Sequence, residues 1–202
     1  DMKKRIFISL NLPTDIKNRL VAEQQEIDRQ FAYFCGNSPI KWTKKDNLHI
    51  TLFFVGYMEI NDLPEIFKIV ENAANKFKVF EIKLKDIIYA PLNKMPPKMV
   101  WVRGESSEEL LRLQKTLETS LLSNTNVVLE NEEGINKNFT PHITLGRIAQ
   151  WQWSRLDPEE IPALNKDFLY NFNVDSIKVM ESQLKRGGAE YSILKSFSLN
   201  QS

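Results

Sequence analysis

Two segments of this chain open with the same tetrapeptide, His-Ile-Thr-Leu, at 49–52 and 142–145, and the histidines that begin them are the only two in the sequence. At ordinary residue frequencies the chance that two histidines share their next three residues is on the order of one in a thousand. The repeat therefore marks a duplicated structural unit, and a fold for this chain has to accommodate the same local structure twice. Histidine titrates near neutral pH, so two in equivalent settings point to one proton donor and one proton acceptor.

Both runs have strand character. Ile, Thr, Leu, Phe and Val in 48–55 and in 143–145 suit a half-buried pleated surface. Side chains alternate between the faces of a strand, so His49 and Thr51 share one side and Ile50 and Leu52 the other; His142 and Thr144 are set likewise against Ile143 and Leu145. Each run presents a polar pair from an apolar anchor. The threonine hydroxyl is short and stiff, able to touch the same anionic oxygen that the imidazole approaches.

The duplication extends beyond the tetrapeptide. At the spacing of the histidines the opening strand 5–10 (Arg-Ile-Phe-Ile-Ser-Leu) falls on 98–103 (Lys-Met-Val-Trp-Val-Arg). A helical pattern follows each. The first begins near Pro13 and carries Ile16, Leu20, Ile27 and Phe31; the second begins at Ser106, with Glu109 as a capping-box partner, and carries Leu110, Leu113, Leu117 and Leu121. Each half reads strand, helix, His-Ile-Thr-Leu strand. Two such units facing each other bring the histidines to one cleft.

The remainder predicts a helix over 62–77 with Asp62 as its cap, a strand over 79–89, and a C-terminal hairpin of 174–184 and 189–199 turning at Lys185-Arg186-Gly187-Gly188. Segments 91–97, with three prolines, and 124–138, with Gly134, read as irregular connections. The class is α+β, and no linker composition divides the chain, so residues 1–202 are expected to form one domain. With 42% hydrophobic residues, no apolar stretch long enough to span a bilayer and no signal-like N-terminal segment, a soluble cytoplasmic protein is expected.

A net charge of +1 excludes a globally basic surface as the basis of nucleic-acid binding. Local charge remains: Lys41, Lys44 and Lys45 precede the first motif, and Lys137 and Arg147 flank the second. Arg147, five residues past His142, offers a guanidinium fork suited to phosphate oxygens. Five residues past His49 stands Phe54, either a stacking face for a base or a core residue. Two histidines and one cysteine, Cys35, lack the close spacing of a metal site, so no metal and no cofactor are expected. Trp42 and Trp101 fall in strand patterns as core or groove wall, and Trp151 and Trp153 read as amphipathic packing residues.

Two copies of His-x-Thr in this setting resemble the two-histidine phosphoesterase superfamily, and the surrounding text is similar to its RNA 2',3'-cyclic phosphodiesterase (ThpR/LigT) branch. The resemblance runs from Arg5-Ile6-Phe7-Ile8-Ser9-Leu10-Asn11-Leu12-Pro13, through Lys41-Trp42, Asn47-Leu48-His49 and Pro97-Lys98-Met99-Val100-Trp101, to Phe139-Thr140-Pro141-His142, with Glu181-Ser182-Gln183-Leu184 and Tyr191 near the end. Gly146 stands where the branch leads one to expect alanine, a departure expected to be of little consequence for the chemistry, and Ser9 where alanine is common.

The resemblance implies a bilobal, pseudo-two-fold α+β fold, two antiparallel sheets with outer helices around a central groove, each lobe giving one His-x-Thr. It also implies metal-independent opening of a 2',3'-cyclic phosphate at an RNA end to a 2'-phosphomonoester. In that scheme His49 donates a proton to the leaving oxygen, His142 accepts one from water, and Thr51, Thr144 and Arg147 hold phosphate oxygens. The expected partners are RNA ends or nucleotides carrying the cyclic phosphate, met by a monomer. The alternatives are a binding module without turnover, another two-histidine phosphoesterase, or 2'-5' RNA ligation.

Overall fold

The computed structural model describes residues 3–92, 94–124, 139–186 and 188–201. In chain order the elements are β1 (Lys3–Asn11), α1 (Thr14–Cys35), β2 (Ile40–Trp42), β3 (His49–Glu59), α2 (Leu63–Ala74), β4 (Phe80–Ala90), β5 (Met99–Gly104) and α3 (Glu108–Asn124). Then come β6 (His142–Ile148), α4 (Gln150–Trp153), β7 (Asn165–Asp167), β8 (Asn171–Val174), β9 (Ser176–Lys185) and β10 (Gly188–Ser198). Of the predicted connection 124–138, Asn124 is the last residue of α3 and residues 125–138, with Gly134 and Lys137, lie outside the described residues, as does Gly187 of the predicted hairpin turn.

Where the resemblance implies two antiparallel sheets, the described strands form one large antiparallel sheet of ten strands in two halves, β10-β9-β1-β3 and β6-β5-β4-β7, with β2 added beside β6 and β8 beside β4. The duplicated units lie at the centre, β1-α1-β3 in one half and β5-α3-β6 in the other. Their inner strands, β3 and β6, meet at the pair Ile50–Ile143. Both isoleucines are fully buried. In an antiparallel pair, the residue before one partner lies opposite the residue after the other. Ile50–Ile143 thus marks the pseudo-two-fold axis, with His49 set toward Thr144, and Thr51 toward His142, on the sheet's other face.

The helices cross between the halves. The buried stripe Ile16, Leu20, Ile27 and Phe31 of α1 is as predicted, and buried Gln24 between them donates its Nε2 hydrogens to the carbonyls of Thr43 and Leu145, both 2.9 Å away, in the second half. α3 buries Leu110, Leu113, Leu117 and Leu121 completely and packs on α2 and on β3 of the first half. Each unit's helix thereby backs the other unit's sheet.

Local departures from expectation have physical causes. The cap of α3 is Ser107 rather than Ser106: its Oγ accepts the Leu110 amide at 3.3 Å. Helix α2 ends at Ala74, three residues early; the Lys76 and Phe77 amides turn back to the Ala73 and Ala74 carbonyls, and Lys78 then bridges to Asn200. Trp151 and Trp153 lie on a helical turn, with Trp153 buried against Phe31 and Tyr89 and Trp151 exposed. Among the described residues no helix is long and apolar enough to cross a membrane.

Candidate active site

Strict alternation would put Phe54 on the same face as Ile50, in the core. The β1–β3 register shows why it is not there. Ser9 pairs with Thr51 and Ile8 with Phe53, leaving Leu52 as an extra residue; Phe7 then pairs with Phe54. In the other half Trp101 pairs with Thr144 and Val100 with Gly146, leaving Leu145 extra, and Met99 pairs with Arg147. A bulge adds one residue to one strand and resets its facing. Here the bulged residue is the leucine of each His-Ile-Thr-Leu run, so the fifth residue after each histidine joins the histidine and threonine on the cleft face. Phe54 is 60% exposed and touches Phe7, which decides between the two sequence readings in favour of the cleft.

The residues at the fifth place are supported differently. The Leu145 carbonyl accepts hydrogen bonds from both the Thr43 amide, at 2.8 Å, and Gln24, so the bulge ahead of Arg147 is fixed from behind by α1. Gly146 is required there: a Cβ would stand 2.5 Å from Cγ2 of Ile40 and 3.0 Å from the Trp42 ring. The departure from the family's alanine, expected to matter little for the chemistry, bears on packing instead, because β2 pairs directly beside Gly146, with Trp42 as its ladder partner.

The two imidazoles are held alike. His49 Nδ1 lies 2.6 Å from the Asn47 carbonyl and His142 Nδ1 lies 2.8 Å from the Thr140 carbonyl. A carbonyl only accepts, so each Nδ1 carries its hydrogen and each Nε2 is left to hold or release the working proton. His49 Nε2 is 2.9 Å from Thr51 Oγ1, whose hydroxyl donates to the neutral ring and accepts from the protonated one. The Asn47 carboxamide donates to the Ala189 carbonyl at 2.9 Å, tying the turn that orients His49 to β10. Burial pulls both imidazoles below their usual value, opposed by the carbonyl bonds; the nearby charges of His142 and Lys17 lower His49 further.

The rings around the histidines differ. His49 packs against Phe7 and edge-on to Tyr191. His142 lies flat on Trp101, with centroids 3.8 Å apart and planes at 19°. Beside it on β5, Arg103 forks onto Asp86, Nε to Oδ1 at 2.7 Å and a second bond from Nη2 to Oδ2, and holds that carboxyl below the usual carboxylate range.

His49, Thr51, Phe54, His142, Thr144 and Arg147 all line one cleft of about 810 Å³. The structure thus gathers both histidines, both threonines, Phe54 and Arg147, whereas Lys41, Lys44 and Lys45 do not line the cleft and Lys137 lies outside the described residues. Trp101, expected as core or groove wall, stands in the wall, and the structure adds Arg103 and Tyr191 there, with the Asn47 and Thr140 carbonyls behind the rings. Sequence reading had no signal for those carbonyls, since every residue carries one. Among the described residues no three His, Cys, Asp or Glu side chains gather as metal ligands.

A model of the 2'-5' RNA ligase superfamily matches residues 17–186, a span holding both histidine motifs and both bulges. The chain belongs to the 2'-5' RNA ligase superfamily. A superfamily relative from Thermotoga maritima named RNA 2',3'-cyclic phosphodiesterase is 26% identical over 193 residues, which is 94% of this chain and 92% of the relative. A crystal structure of a Thermus thermophilus protein superposes with a TM-score of 0.78 at 28% identity, covering 96% of this chain and 97% of that one. Escherichia coli LigT, solved with 3'-AMP, superposes at 0.75 with 20% identity over 99% of this chain and all of LigT, a likeness of fold.

Proposed function

We propose that this chain hydrolyses RNA 2',3'-cyclic phosphate ends to 2'-phosphomonoesters, with the two imidazoles carrying both proton transfers and no metal taking part. The observation that carries the reading is the matched pair of histidines across Ile50–Ile143, each with Nδ1 committed to a carbonyl, the working Nε2 of His49 resting on the Thr51 hydroxyl in the same cleft. The activity of curated relatives such as that of Thermotoga maritima supports the substrate class.

Opening the ring requires water to attack phosphorus as the 3' oxygen leaves on the opposite side. The water oxygen forms a bond to phosphorus, the bond from phosphorus to the 3' oxygen breaks, one proton passes from water to a neutral imidazole, and one passes from an imidazolium to the 3' oxygen. The products are a 2'-phosphomonoester and a 3'-hydroxyl. His49 is assigned the donor and His142 the acceptor, following the family resemblance. Thr51, Thr144 and Arg147 hold the non-bridging oxygens where charge builds, and Phe54 offers its exposed ring to the terminal base. The protein acts on its substrate as a monomer in the cytoplasm.

The test is incubation of purified protein with a short RNA ending in a 2',3'-cyclic phosphate, followed by identification of the phosphate position. A 2'-phosphate product is expected. A 3'-phosphate product, joined strands or unchanged substrate would each reject the assignment.

A further inference from the structure

Of the four tryptophans, Trp101 is placed for its face rather than its N–H. Its indole lies parallel to the His142 ring at 3.8 Å, while its Nε1 is buried and finds no hydrogen-bond partner among the described residues. Trp42 shows the usual arrangement, its Nε1 donating to Asp28 Oδ1 at 2.8 Å. A buried donor left without a partner is costly, so a ring position that leaves one needs another source of support. The face contact with His142 supplies one: the negative face of an indole attracts a cation laid over it. Among the described residues His49 has no equivalent flat contact, meeting Tyr191 at 84° and Phe7 at 36°.

We propose that Trp101 is a positioning residue for His142, its indole face holding the imidazole flat and favouring the imidazolium that forms when this ring takes up a proton. The inference rests on reading the cleft as an acid–base centre. It also supplies an asymmetry that the two identical tetrapeptides lack. A contact that strengthens as charge appears on His142 stabilises the transition state more than the resting enzyme when His142 is the acceptor. The position is set by the ladder: Trp101 pairs with Thr144, so both side chains emerge on the cleft face, and the indole reaches along β5 to lie beneath the histidine two residues earlier on β6.

The other groups that bear on His142's protonation are fixed from each side. On β5 Arg103 stands opposite it, neutralised by Asp86 of β4. Arg147 follows on β6, and His49, Arg5, Tyr191 and Glu118 share the cleft from the other half and from α3. None of these moves when the indole's electron density alone is changed.

With only two histidines, the chain allows each imidazole to be followed separately by NMR as pH is varied. Biosynthetic replacement of tryptophan by fluorotryptophans weakens the ring's attraction for a cation while keeping its shape, and His49 serves as the internal reference. The His142 titration is expected to move to lower pH with increasing fluorination, by about half a unit to one unit for the most fluorinated ring, with His49 unmoved. Trp101→Phe should give a smaller displacement than Trp101→Leu, with the acid limb of the kcat/KM profile following His142 in each. A His142 titration that stays in place through the fluorinated series, or moves together with that of His49, overturns the proposal. So does an equal loss of kcat in Trp101→Phe and Trp101→Leu with unchanged titration, since that is what packing alone would give. The titrations use resting protein without substrate, so they hold or fail independently of whether cyclic phosphate is the substrate.

Discussion

Phe54 and Arg147 occupy the same place in the two halves, each five residues past its histidine and each turned to the cleft by a bulge at the preceding motif leucine. The site is therefore symmetric in backbone and asymmetric in chemistry: one half ends its motif in an aromatic face, the other in a cation. A nucleotide has the same polarity, with a base at one side and a phosphate at the other. Three properties of this arrangement are open to direct test, as is the packing beneath it.

Replacing Arg147 separates charge from geometry. Arg147→Lys keeps the charge and loses the fork, and it is expected to weaken binding of a 2'-nucleotide and slow turnover; Arg147→Ala should do both more severely. Calorimetric titration with 2'-AMP and steady-state kinetics check the ordering. Parent-like behaviour of Arg147→Ala would make it a solvated surface charge.

His49→Ala and His142→Ala are each expected to lower turnover by about 10² to 10⁴-fold, the range for loss of a general acid or base. Neither should unfold the protein, because the core side of each motif is carried by Ile50, Leu52, Ile143 and Leu145. Thermal melts beside the kinetics distinguish chemistry from folding. Near-normal turnover in either variant would return that histidine to a structural role.

Activity is expected to be bell-shaped in pH, since one ring must be protonated and the other neutral. Burial lowers both imidazoles, so the maximum of kcat/KM should fall on the acid side of about 6.5, the unperturbed histidine value. The same shifts bear on folding. The unfolded chain binds these protons more readily than the folded one, so their contribution to stability is complete above about 6.5 and is lost as pH falls through the folded values. A kcat/KM optimum well above neutrality would contradict the burial of the rings as the governing effect. The rate should also be unchanged in EDTA; full loss on chelation with recovery on adding one divalent metal would reject metal-free chemistry.

Gly146→Ala should destabilise the fold by about 1–3 kcal/mol, the usual cost of forcing a carbon into a packed site. The added Cβ meets Ile40 at 2.5 Å. Denaturant melts read the loss, and a rise in KM for cyclic phosphate is expected with it, because Arg147 is the next residue. A variant as stable as the parent would mean that β2 yields freely.

The sequence by itself determined the duplication, the strand nature of both motifs, the side of each strand on which His and Thr stand, and the buried stripes of α1 and α3. These follow from periodicities of two and of about 3.6 residues, which are properties of the local chain. Tertiary structure decided the rest. Whether Phe54 lies in the core or the cleft turned on one extra residue at Leu52, and a bulge is a mismatch between two strands that neither strand records alone. That α1 backs the second half through Gln24 and α3 the first, that Gly146 packs beside Ile40 and Trp42, and that Trp101 lies flat on His142 all depend on which surfaces meet. Backbone carbonyls at Asn47 and Thr140 fix the tautomers, and a carbonyl has no residue letter. The sequence chose the reactive groups; packing set their orientation, protonation and neighbours.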